Sequence, residues 1–174
     1  MSPRTGRRLI CATATIGLIA AGVGACGGGD GSNSTTSTAS ELTKSQLVAQ
    51  GDAICKEAHD RFAELQGSPP TTPEESASFT QKLIDITESE VAQLRVLNPP
   101  ASVKPALDSY LKSLDKNVDV LKQGLKAAQQ SDATAYAQAQ AKAVKGQVKR
   151  LQYAQAVGFK ECSVPAGTAP SGSG

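Results

Sequence analysis

The chain has 174 residues, with 18 Lys and Arg against 16 Asp and Glu, three Tyr, three Phe and no Trp. That length holds one domain with a real core, and with so few aromatic residues the core must be aliphatic. The near-neutral balance excludes a dedicated nucleic-acid binder, which would be strongly basic.

Residues 1–8 carry Arg4, Arg7 and Arg8, the positive start of a secretory signal. Leu9 to Val23 is an apolar run rich in Ala and Gly. It is shorter than the ~20 residues that span a bilayer stably. Val23-Gly24-Ala25-Cys26 resembles the lipobox of bacterial lipoproteins. In that family the cysteine thiol receives a diacylglyceryl group and the bond before it is cut. The resemblance implies a signal peptide over 1–25, lipid on Cys26, and residence on the outer face of the cytoplasmic membrane. Whether export follows the general route or the twin-arginine route suggested by Arg7-Arg8 stays open. Cleavage would leave 149 residues carrying 15 basic and 16 acidic side chains.

Residues 26–40 form the lipidated cysteine and a Gly/Ser/Thr linker, with almost nothing to bury and a root-mean-square reach of roughly 20 Å. The predicted helical domain covers 41–163. In the first helix Leu47, Gly51, Ile54, Ala58 and Leu65 make one apolar stripe, with Phe62 beside the seam. Gly67-Ser68-Pro69-Pro70 ends it. Thr72-Pro73-Glu74-Glu75 has the pattern of a capping box with proline in the first turn. The second helix carries Phe79, Leu83, Ile86, Val91, Leu94 and Leu97, and Asn98-Pro99-Pro100 stops it. The third opens near Ser102, with Pro105 in its first turn, and has the cleanest stripe: Leu107, Leu111, Leu114, Val118, Leu121, Leu125 and Ala128. Asp132 can cap a fourth, Ala-rich helix over 133–157 with Tyr136, Ala143, Val144, Val148 and Leu151 inward, closed by Gly158. Residues 164–174 are expected to be a disordered tail. With no period-two alternation, the expected fold is all-α, an antiparallel four-helix bundle.

Charge is uneven along this domain. Glu41 to Arg95 holds 5 basic and 10 acidic residues, and Lys104 to Glu161 holds 10 basic and 5 acidic. The two hairpins of opposite sign would attract each other when docked. Alternatively, the second presents a basic face to anionic lipid or a wall polymer.

With Cys11 in the leader and Cys26 lipidated, Cys55 and Cys162 remain to pair in an oxidising compartment. Cys55 lies some twelve residues into its helix, about 18 Å along the axis. Either the start of that helix overhangs the bundle, or the chain after Gly158 folds back. The second is expected.

No catalytic constellation is visible. His59, the single histidine, shares a helical face with Cys55, yet no second ligand pair completes a metal site. Glu88/Glu90 and Glu57/Asp60/Glu64 read as solvated faces, and no phosphate-cradling loop or cofactor motif occurs. No cofactor, metal or nucleic-acid partner is expected, and no ligand-binding residue is assigned. Tyr110, Tyr136 and Tyr153 either line a cavity between helices or pack their rings with wet hydroxyls.

The lipobox, the linker, Gly51-Asp52-Ala53-Ile54-Cys55, Leu97-Asn98-Pro99-Pro100 and Gly158-Phe159-Lys160-Glu161-Cys162 together resemble small uncharacterised lipoproteins of high-GC Gram-positive bacteria. The resemblance implies a helical cell-envelope protein and carries no catalytic residues. The functional expectation is a non-enzymatic, membrane-anchored binding or scaffolding module with an envelope protein or polymer as partner. Its rival is an extracytoplasmic carrier or sensor of a small apolar ligand held between the helices.

Overall fold

The computed structural model describes residues 40–166; Cys26 and the rest of the leader and linker, and residues 167–174, lie outside them. Among the described residues the chain forms α1 (Lys44–Gln66), α2 (Pro73–Arg95), α3 (Lys104–Gln129), α4 (Ala133–Val157) and a short 3-10 turn, η1 (Glu161–Ser163). The expected helical bundle is the fold.

Local chemistry sets the helix ends. Thr43 with Gln46, and Thr72 with Glu75, each form a reciprocal capping box. Asp132 caps α4 by accepting a hydrogen bond from the Ala135 amide at 2.9 Å. Gly158 closes α4 with φ 104°, a left-handed conformation that costs glycine little. The third helix starts near Ser102, as expected: Val103 occupies the cap position, and no side chain caps it. Pro105 sits in the first turn, where its missing N–H is not needed.

The start of α1, the α2–α3 turn and the end of α4 gather at one end of the bundle. There the Leu42 amide donates to the Asn98 carbonyl at 2.8 Å, and Gly158 lies against Lys44 and Val48. The main apolar core fills this end with Leu47, Val91, Leu94, Leu107, Leu114 and Val157. A smaller cluster of Ile84, Val118 and Leu121 belongs to α2 and α3 alone.

The chain does fold back after α4, the expected one of the two routes that the cysteine spacing left open. Cys55 and Cys162 are bonded, with Cα atoms 5.2 Å apart across 107 positions. Asp52 holds the returning segment, its Oδ1 accepting the Lys160 and Glu161 amides at 2.8 and 2.9 Å. The Phe159 ring occupies the space above Gly51 that any side chain there would need. One stripe is corrected. Val144 and Val148, expected inward, are 66 % and 63 % exposed. The inward face of α4 is instead set by Ala139, Ala154 and Val157, with Gln140, Gln147 and Arg150 half-buried between them.

Candidate functional site

The two apolar clusters are separated by a polar layer. Glu90 on α2 is 8 % exposed, although it had the look of a solvated acid beside Glu88. Two residues apart on a helix, the two side chains face nearly opposite ways. Glu88 pairs with Lys122 at the surface at 2.8 Å, while Glu90 takes the core-facing position between Ile86 and Leu94. Its Oε1 accepts the Tyr110 hydroxyl at 3.0 Å and lies 3.4 Å from Cys55 Sγ. Tyr110 is 3 % exposed and packs edge-on against Phe159, so its hydroxyl is not wet.

Burial pushes the Glu90 carboxyl up to about 7, against the opposing pull of the Tyr110 hydrogen bond and the Arg150 charge. The Tyr110 hydroxyl is driven well above its usual range by burial first and by Glu90 second. Burial also lowers His59, which the nearby Glu161 and Asp60 carboxylates only partly offset.

Against this layer lies a cleft of about 230 Å³. His59 and Phe62 line it from α1, Thr87 and Glu90 from α2, and Tyr110 and Asn117 from α3. Gln140, Gln147 and Arg150 line it from α4. Val164, Pro165 and Ala166 form one edge, so part of the expected tail contributes to the site; the tail from 167 onward lies outside the described residues. The cleft persists because α1 and α4 meet mainly through η1 rather than by direct packing. Asn117 Oδ1 is buried in this region without a hydrogen-bond partner, a condition native structures usually relieve with water, an ion or a ligand.

Of the residues singled out in the sequence, Cys55, Cys162, His59 and Tyr110 converge here. Tyr136 instead hydrogen-bonds Thr80 at 3.3 Å, and Tyr153 lies beneath Lys149 Nζ at 5.6 Å. The lipidation position, Cys26, lies outside the described residues. Glu90 and Asn117 were missed. Their signal was positional: Glu90 stands four residues after Ile86 and four before Leu94, and Asn117 three after Leu114 and four before Leu121.

No group of three or more potential metal-ligating side chains occurs among the described residues. No described helix is long and apolar enough to cross a membrane. No family model matches the chain, and neither a curated protein nor a solved structure matches it.

Proposed function

We propose that the protein is a non-enzymatic binding module held at the outer face of the cytoplasmic membrane by lipid on Cys26, and that its ligand enters the cleft between α1 and α4. The observation that carries the binding reading is the polar cleft itself. A carboxyl with its proton affinity raised to about 7, a buried phenol, an unpartnered amide oxygen and a half-buried guanidinium converge on one small cavity. Pockets that combine apolar walls with a few convergent polar groups are the usual form of small-ligand sites. The ligand such a cleft takes is partly polar rather than wholly apolar, since an apolar molecule would leave these groups unpaired.

The anchor is tested by membrane fractionation. The Cys26→Ala protein should move out of the membrane fraction; retention there would refute lipidation at this position. The cleft is tested by native mass spectrometry of the full chain, gently extracted from its own membrane. A reproducible additional mass, lost in both Glu90→Gln and Arg150→Gln, is expected; a clean apo mass that no extraction condition changes would count against a resident ligand.

Scaffolding through an outer surface is a second reading. It is favoured by the basic groove between α3 and α4.

A further inference from the structure

The fourth helix carries Lys142, Lys145, Lys149 and Arg150 and not one acidic residue. Facing it, α3 presents Lys112 and Lys116 across a groove of about 370 Å³. Five cations line this groove and no carboxylate does. Of the three aspartates of α3, Asp108 pairs with Lys104 at 3.0 Å and Asp115 with Arg95 at 2.7 Å, while Asp119 lies near Lys122 and lines a different groove, between α2 and α3. Among the described residues no ion pair links a groove lysine to an acid. The chain after the lipobox cleavage position has one more acidic than basic residue, so any attraction for an anion is local to this groove.

We infer that the α3–α4 groove binds a linear polyol-phosphate polymer, a phosphodiester chain without nucleobases. Shape decides between anionic partners. The groove runs from Ser109 to Val120 along α3, about 16 Å of helix, with cations on both walls. A flat bilayer would touch only its rims, whereas a flexible strand can lie along the floor. Lys112 and Lys116 are one turn apart, about 6 Å, and Lys142 and Lys149 two turns, about 10 Å. A polymer whose charges recur at such intervals meets both walls in succession. Ala143, Gly146 and the Tyr153 ring give the floor apolar surface for the uncharged part of each repeat. A Cβ on Gly146 would come within 3.0 Å of the Arg150 guanidinium, so glycine keeps this floor low.

Contact with an envelope polymer depends on the export and anchoring reading above. Binding in solution does not, so the two can fail separately. The test is fluorescence-detected titration of the full chain in non-ionic detergent, using poly(glycerol phosphate) as the probe. Phosphatidylglycerol-containing vesicles and monomeric glycerol phosphate run beside it. The expected result is polymer binding that weakens steeply with salt. Each of Lys112→Gln/Lys116→Gln and Lys142→Gln/Lys149→Gln should bind at least tenfold more weakly, with the salt slope reduced by about 1.4. All four side chains are exposed, so neither pair of changes threatens the fold. Lys82→Gln/Lys126→Gln, with the same change in charge away from the groove, should bind normally. Equal losses in that control pair, or vesicle binding without polymer binding, would overturn the proposal.

Discussion

Glu90 is the residue on which the site's energetics turn. Its carboxyl rises from an ordinary value of 4.5 to about 7 in the folded chain, chiefly through burial. Such a group favours the native state fully below the unfolded value. The contribution is lost as pH rises from about 4.5 through about 7, because the native state then holds a proton that the unfolded chain would release. The loss is on the order of 3 kcal/mol. Tyr110 from α3 and Arg150 from α4 act on Glu90 directly, Asp52 from α1 acts on Tyr110, and His59 from α1, which faces Glu161 of η1, lines the same cleft. His59, with its affinity lowered by burial, acts in the opposite sense on acidification, so the variant comparison isolates Glu90. Urea unfolding at pH 5 and pH 8 should show Glu90→Gln more stable than the parent at pH 8 and nearly equal at pH 5. A parallel pH dependence in both proteins would contradict the burial account.

Gly51 offers a second residue-scale test. In a helix, Gly→Ala ordinarily gains about 1 kcal/mol. Here the new methyl would overlap the Phe159 ring, and overpacking of this kind costs about 1–3 kcal/mol. Gly51→Ala should therefore be destabilising on chemical unfolding, and Phe159→Leu in that background should recover part of the loss. A stabilised Gly51→Ala protein would mean that Phe159 does not pack there.

At the scale of elements, the staple between α1 and η1 is the strongest single constraint. Closing a loop of 107 positions is worth up to ~4.7 kcal/mol in the chain-entropy model. Cys55→Ser and Cys162→Ser should lose stability about equally, since each breaks the same bond; clearly unequal losses would sink that equivalence. The helix ends at Thr72 and Asp132 were legible because capping is local chemistry, written within four residues. The inward face of α4 was not. Two of its valines, Val144 and Val148, lie on the solvent side, while its buried positions are Ala139, Ala154 and Val157, with Gln140, Gln147 and Arg150 half-buried between them. Hydrophobic periodicity cannot find a face that is small and polar by construction. The start of α3 near Ser102 was legible from Pro105, although its cap position, Val103, has no side-chain cap.

At the scale of the whole molecule, the four-helix plan followed from stripe spacing and proline-rich turns. The cleft did not, because it arises where α1 and α4 fail to meet directly and the chain's end covers part of the gap. That arrangement depends on tertiary packing around a folded-back segment. The cationic excess of the second half was visible as a count. Its concentration on facing walls of one groove is a property of how α3 and α4 pack. On the proposed function, an exported, lipid-anchored and disulfide-stapled bundle presents these two concave sites outside the membrane. The most direct test is the intact mass of the chain recovered from the membrane fraction of cells. The account predicts a polypeptide beginning at Cys26, heavier by a diacylglyceryl group, and lighter by the hydrogens of the Cys55–Cys162 bond until reduced. A chain that retains Met1, or one cut without acyl mass on Cys26, would contradict it.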